Sequence, residues 1–118
     1  SSGGNRTTTA TFLTDVSGMS LQLPNTGGTL DCLCNVFAAI TVDVSDGLYF
    51  ALVKDTTVLV YTVEDPPVTT QYTGIAMSCL CDADQETVKL QWKTAGGNTA
   101  TIKVNSSNAT PTISAFAV

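Results

Sequence analysis

The chain has 118 residues, of which 43% are hydrophobic and only 13% charged, a balance that excludes an intrinsically disordered protein. Its net charge of −5 and pI of about 4.2 exclude the basic surface on which nucleic-acid binding depends. The chain has no histidine, which excludes His-based catalytic triads and His-ligated catalytic metals, and no apolar run approaches the roughly 18 residues of a membrane-spanning helix.

The amino-terminal half of the chain predicts a short arm followed by strands. Residues 1–5 are small, so we expect a flexible arm at residues 1–6 in front of a single domain at residues 7–118. Apolar and polar residues then alternate with the period of two that is typical of half-buried strands, and Gly, Asn and Pro separate the runs. The strands are predicted at residues 7–13, 19–23, 30–42, 48–54 and 57–63.

The carboxyl-terminal half contains a predicted hairpin at residues 74–94. Each of its two strands has one apolar face, and the polar segment Asp-Ala-Asp-Gln at residues 82–85 supplies the turn. Because a single hairpin is unstable in water, this apolar face must pack against a second sheet. The face is made of Ile75, Met77, Cys79, Cys81, Val88, Leu90 and Trp92.

Two further strands are predicted at residues 99–104 and 112–118. The chain then has eight or nine strands joined by short turns and no segment of helical period. This pattern predicts an all-β fold, an antiparallel β-sandwich or jelly roll.

The four cysteines form two Cys-Leu-Cys units, Cys32/Cys34 and Cys79/Cys81. Each unit presents both sulfurs on one face of a strand. If the two strands are antiparallel neighbours, Cys32 faces Cys81 and Cys34 faces Cys79, which would allow two cross-strand disulfides and indicate an oxidising environment. Reduced core cysteines and a four-sulfur metal site are the alternatives. The metal site is disfavoured because zinc-binding cysteine pairs usually have two or more residues between them.

The acidic residues predict neither a metal site nor an enzyme. Asp82, Asp84 and Glu86, with Asp46 or Asp55, could bind an oxygen-liganded cation such as calcium, but they lack the glycine and the length of an EF-hand loop. We therefore interpret them as residues of a solvated turn and expect no metal and no cofactor. Every acidic residue lies at a predicted strand end or turn, where solvation alone explains it.

Four segments carry a resemblance to a known family, and in order they are MSLQLPNTGGTLDCLCNVFAAITV, GLYFALVKD, ETVKLQWKTAGGNTATIKV and TISAFAV. The pattern that these segments share with the family is a strand that ends in a Gly-Gly loop, then a long strand, and then an aromatic strand that leads to an Asp-containing turn. Over residues 7–118 the chain resembles the small TNF/C1q-like proteins and fibre-head domains of bacteriophage structural genes. The Cys-Leu-Cys pairs depart from that pattern and suggest additional strengthening.

The resemblance implies a ten-strand-type jelly roll that assembles as a homotrimer. Several strands agree with this because they are apolar on both faces, and a monomer would leave one such face in water. On the long strand, the face that carries Leu33 and Phe37 is apolar in its middle, as expected if a neighbouring subunit partly buries it. The expected subunit interface comprises Tyr49, Ala51, Val53, Trp92, Phe116 and Val118.

The function expected from the sequence is that of a non-enzymatic virion structural protein. It would be a trimeric decoration or cement protein on the virion surface that reinforces contacts between subunits of the major capsid protein, with residues 1–10 reaching a neighbour or the lattice. One alternative is the receptor-binding head of a phage tail fibre, whose loops at residues 64–70 and 105–111 would contact a host glycan or protein. Another is a secreted filament subunit whose arm donates a strand to the next subunit.

Overall fold

A computed structural model describes residues 6–23, 31–42, 47–64, 73–82, 86–102 and 111–117. Within these stretches the chain forms nine strands and no helix. The strands are β1 (Arg6–Thr8), β2 (Thr14–Gln22), β3 (Asp31–Val42), β4 (Leu48–Lys54), β5 (Thr57–Glu64), β6 (Thr73–Asp82), β7 (Thr87–Thr94), β8 (Ala100–Ile102) and β9 (Thr112–Ala117).

The strands form two antiparallel sheets that pack face to face. Sheet A has the order β1-β8-β3-β6, and β9 also pairs with β3; sheet B has the order β2-β7-β4-β5. Strand β3 is the centre of sheet A, because β6 pairs along one side of it while β9 and β8 share the other. The predicted all-β sandwich is confirmed.

One hydrophobic core fills the space between the sheets, because alternate residues of each strand point into it. Trp92 of β7 and Phe50 of β4 lie in sheet B with their rings 6.1 Å apart, centroid to centroid. Truncating an aromatic side chain at such a site costs about 3–5 kcal/mol of stability. The buried core residues are Val16, Met19, Leu23, Cys32, Cys34, Val36, Ala38, Ile40, Leu48, Phe50, Leu52, Ile75, Met77, Val88, Leu90, Trp92, Ala100 and Ile102.

Strands β6 and β7 do not form the predicted hairpin. Strand β6 pairs with β3 in sheet A, whereas β7 pairs with β2 and β4 in sheet B. The predicted apolar faces are correct, but they face the same core from opposite sheets. Residue periodicity reports which face of a strand is buried and does not report which strand lies beside it, so the pairing prediction was wrong.

Residues 6–10 pack against the sandwich, and Arg6, the last residue of the expected arm, lies in strand β1. Strand β1 pairs with β8, and the backbone carbonyl of Ala10 accepts the N–H of Thr94 at 2.8 Å. The buried hydroxyl of Thr94 also donates to the Ala10 carbonyl and accepts the N–H of Gly97 at 2.9 Å. These bonds fix the backbone at Ala10 against the end of β7. Residues 1–5 lie outside the described residues.

A bulge interrupts strand β2. Its register with β7 shifts between Asp15 and Ser20, and Gly18 within the bulge has a φ of +76°. The Arg6 guanidinium lies over this glycine, and its Nε donates to the carbonyl of Ser17. The side chain of Arg6 thus connects β1 of sheet A with β2 of sheet B.

Candidate functional sites: an apolar sheet face and a cysteine cluster

The outer face of sheet A, which points away from sheet B, carries a row of apolar side chains. Leu33 of β3 pairs in register with Leu80 of β6 on one side and with Phe116 of β9 on the other. Leu80 is 61% exposed and Phe116 50% exposed, and Leu33 lies half-buried between them. We call these three residues the apolar row. Phe37, which is 54% exposed, adds a second apolar site further along β3.

Uncharged polar residues separate these apolar sites. Asn35 pairs in register with Ser78 and with Ser114, so a polar row crosses the same three strands next to the apolar row. The charged residues of β3 and β6 are Asp31 and Asp82, which are exposed and lie opposite each other at one end of the two strands. Over its described residues, the surface between Leu33 and Phe37 is therefore neutral, although the chain is acidic.

The outer face of sheet B has a different character. The rings of Tyr49 and Tyr61 stack with centroids 5.8 Å apart, and the Nζ of Lys93 lies 4.9 Å from the Tyr49 centroid, a cation–π arrangement. Ala51 and Val53 also belong to this face by their parity along β4, yet they are buried. The larger side chains of the adjacent strands therefore cover them within one chain.

Charged and polar groups continue this face toward β2. The carboxylate of Asp15 accepts a hydrogen bond from Gln91 Nε2 at 2.8 Å and lies 3.2 Å from the Nζ of Lys89. The bond from Gln91, together with Lys89, lowers the pKa of the Asp15 carboxyl below its ordinary value. Asp15 is exposed and its charge is balanced locally, which identifies a solvated ion pair rather than a catalytic carboxylate.

The residues predicted for the subunit interface are not brought together. Trp92, Ala51 and Val53 are buried inside a single chain and offer no surface to a second one. Tyr49 is half-buried on sheet B, and Phe116 is exposed on sheet A. Val118 lies outside the described residues. Subunit contact at the exposed residues stays a prediction.

Sequence reasoning missed one residue of the apolar row. Leu80 lies on the solvent side of a strand whose other face is apolar, and a single exposed leucine is ordinary in a soluble domain. The repeated Cys-Leu-Cys unit could have identified it. If the two units pair in antiparallel register, their central leucines must lie side by side on the opposite face from the sulfurs.

The four cysteines lie together at one end of sheet A on its inner side. Cys32 pairs in register with Cys81, and Cys34 with Cys79, which is the register expected if the two strands are antiparallel neighbours. Cys32 and Cys34 are fully buried, and Cys79 and Cys81 are half-buried. All four are free thiols, and the Sγ atoms of Cys34 and Cys81 are in contact at 3.7 Å across the diagonal. The two register-paired disulfides stay a prediction.

Burial is the main influence on the thiols of this cluster. It raises the pKa of Cys32, Cys34 and Cys79, and the neighbouring thiols raise the pKa of Cys34 further. These thiols therefore stay protonated at neutral pH. Protonated thiols are poor nucleophiles and poor metal ligands.

The described residues do not assemble a metal site. Within them, no group of three or more Cys, Asp or Glu side chains is arranged to hold a metal ion. Glu86, one of the acidic residues considered for calcium, lies 3.7 Å from the Nζ of Lys54. Asp82 and Asp55 are exposed, and Asp46 and Asp84 lie outside the described residues.

Comparison with known proteins supports the fold alone. No protein-family model matches the chain, and no curated protein matches it. Among solved structures, the C-terminal domain of EclA, described as a sugar-binding protein, is similar with a TM-score of 0.53. The similarity covers 98% of this chain and 79% of that one at 10% sequence identity. Across the described residues, no helix is long and apolar enough to span a membrane. The chain is thus an all-β sandwich, and its resemblance to phage jelly-roll proteins stays a prediction.

Proposed function

We propose that the chain is a non-enzymatic structural subunit of a virion surface, a decoration protein that stabilises a phage head as a homotrimer. The observation that carries the proposal is the apolar row on the outer face of sheet A. Exposed apolar side chains that form a contiguous patch usually mark a contact surface. These side chains lie on the outer face of sheet A, and the described residues in the middle of that face carry no charge.

The charge distribution favours a second copy of the chain as the partner at this face. Copies that each carry a charge of −5 repel one another, and the repulsion is weakest where neutral surfaces meet. Burying a large apolar side chain contributes about 1.5–3 kcal/mol. Burial of the apolar row from each of three copies would offset a substantial part of the free-energy cost of association. The row consists of Leu33, Leu80 and Phe116.

A trimer suits the decoration of a capsid lattice. Three copies held together present three equivalent contact sites, so weak individual contacts with the major capsid protein add up to stable attachment. The mechanism needs only binding energy. The lack of histidine and the exposed, ion-paired position of Asp15 support a role without catalysis.

Sedimentation velocity of surface variants tests the proposed contact. Leu80→Ser and Phe116→Ser each remove an exposed apolar side chain from the apolar row, so we expect the trimer to dissociate at a protein concentration about tenfold higher or more. Phe12→Ser is the matched control, because Phe12 is 68% exposed and lies in the connection between β1 and β2. It should assemble like the unaltered protein. Unchanged assembly of both row variants would rule out this face as the contact.

A second candidate function is that of a sugar-binding head domain of a tail fibre. It is favoured by the sugar-binding description of the structurally similar EclA domain and by the tyrosine pair on sheet B. Tyr61 is 45% exposed beside Tyr49, and aromatic rings at a surface can stack on sugar rings. This candidate predicts binding on a glycan array that Tyr61→Ala abolishes. The decoration protein should bind no glycan and should trimerise normally with Tyr61→Ala.

Sedimentation also separates the filament alternative from a closed trimer. A subunit that donates a strand to its neighbour adds copies without limit, because a head-to-tail contact that does not close generates an open filament. Growth of ever larger species with rising concentration would favour that alternative. A single closed species supports the decoration protein.

A further inference from the structure

We propose that Cys34 and Cys81 form a reversible disulfide that cross-links the edge strand β6 to the central strand β3. This inference does not depend on the proposed virion role. It also differs from the two register-paired disulfides that the sequence predicts, because it joins a diagonal pair and leaves Cys32 and Cys79 as thiols.

The positions of the sulfurs favour the diagonal pair. The Sγ atoms of Cys34 and Cys81 are 3.7 Å apart and share a hydrogen bond. Cys34 is opposed to Cys79 across the ladder, and Cys32 to Cys81, yet the sulfur contact runs between Cys34 and Cys81. A small approach of these two sulfurs is therefore sufficient to reach the S–S bond length of about 2.05 Å.

Access from solvent decides where oxidation starts. Cys34 is fully buried, whereas Cys81 is half-buried near the end of β6. The required oxidant is a low-molecular-weight disulfide such as oxidised glutathione. The Cys81 thiolate attacks one of its sulfurs, forms a mixed disulfide and releases one thiolate.

The second step takes place inside the cluster. Cys34, already in contact with the Cys81 sulfur, loses its proton and attacks it, which forms the Cys34–Cys81 bond and releases the second small thiolate. The two protein thiols give up two electrons and two protons. The electrons reduce the oxidant to two thiol molecules, which take up the protons.

The disulfide adds a covalent link to strand β6, whose backbone hydrogen bonds reach a neighbouring strand on one side. Within the described residues β6 pairs with β3 and with no other strand, so it is an edge of sheet A. Edge strands open more easily than central ones. Because Cys81 is half-buried, a small thiol can reach its sulfur and break the disulfide again by exchange. It therefore suits a reversible cross-link rather than a permanent one.

Four double variants, each with two cysteines left, test the pairing. Cys32→Ala with Cys79→Ala leaves the proposed pair, and Cys34→Ala with Cys81→Ala leaves the other diagonal. Cys32→Ala with Cys81→Ala, and Cys34→Ala with Cys79→Ala, each leave one register pair. The folded proteins are incubated with oxidised glutathione, and disulfide formation is followed by mass.

We expect the variant that keeps Cys34 and Cys81 to oxidise at the rate of the unaltered protein and at least about tenfold faster than the other three. Peptide mapping of the oxidised unaltered protein, which needs no substitution, should find the Cys34–Cys81 link. Faster oxidation of a register pair, mapping of any other link, or no disulfide in the folded protein would overturn the proposal. None of these measurements depends on the oligomeric state, so the virion proposal stands or falls separately.

Discussion

Gly18 provides the backbone conformation of the β2 bulge over which the Arg6 side chain lies. Its φ of +76° lies in the region that residues with a Cβ rarely adopt, and a Cβ there would lie 2.8 Å from the Nη2 atom of Arg6. We therefore expect Gly18→Ala to lower the free energy of unfolding by about 1–3 kcal/mol in urea titration.

Gly74→Ala is the control for that measurement. Gly74 lies in β6 with an ordinary φ, and no atom lies within 4 Å of a Cβ built there. Its substitution should change stability by less than about 0.5 kcal/mol. Equal effects at the two glycines would contradict the role given to the bulge.

At the residue scale, the sequence located the apolar faces of the strands but did not specify what covers each face. The alternation around Trp92 correctly placed it on an apolar face. It could not tell whether that face meets the core or a second subunit, because both environments select the same residues. Trp92 proved to lie in the core, whereas Phe37, Leu80 and Phe116 are exposed on the outer face of sheet A.

At the scale of elements, the pair β3 and β6 has a pH dependence that follows from its thiols. Burial raises the pKa of Cys32, Cys34 and Cys79 above the ordinary value of 9.0. Above pH 9 the unfolded chain releases these protons while the folded chain keeps them, so stability falls as pH rises. Below pH 9 both states keep these protons, so the thiols make their full contribution to the free energy of unfolding.

We expect the reduced protein to lose about 1–3 kcal/mol of unfolding free energy between pH 8 and pH 10.5. Urea titrations under reducing agent at both pH values measure the loss. Lysine and tyrosine also titrate in this range, so the comparison is with Cys32→Ala plus Cys34→Ala, which should lose clearly less. The same loss in that variant would show that the buried thiols are not responsible.

The elements were predictable where the pattern is local. The bounds of β3, β4 and β5 lie within a residue of the predictions, because an uninterrupted period of two and a turn at each end specify them. The first part of β2 was missed because its bulge places buried Val16 and Met19 three residues apart. The pairing of β6 with β3 depends on contacts between distant residues, which periodicity does not encode.

At the scale of the whole molecule, the two outer faces of the sandwich differ in what they offer a partner. Sheet B exposes ion pairs and a tyrosine–lysine cluster that solvent can satisfy, together with Val58 and Val63 on its edge strand β5. Sheet A exposes the apolar row beneath which the cysteine cluster lies. Because each Cys-Leu-Cys unit supplies a leucine to the outer face and sulfurs to the inner one, the same short motif builds both sites.

The mass of the unaltered protein under native conditions is the decisive test of self-association. Native mass spectrometry over a range of concentrations should find a closed species of three chains, each of 12.3 kDa. The number of chains in that species should not change with reducing agent, because the proposed disulfide lies within one chain. A single chain at every concentration would contradict self-association through the outer face of sheet A, and the virion proposal with it.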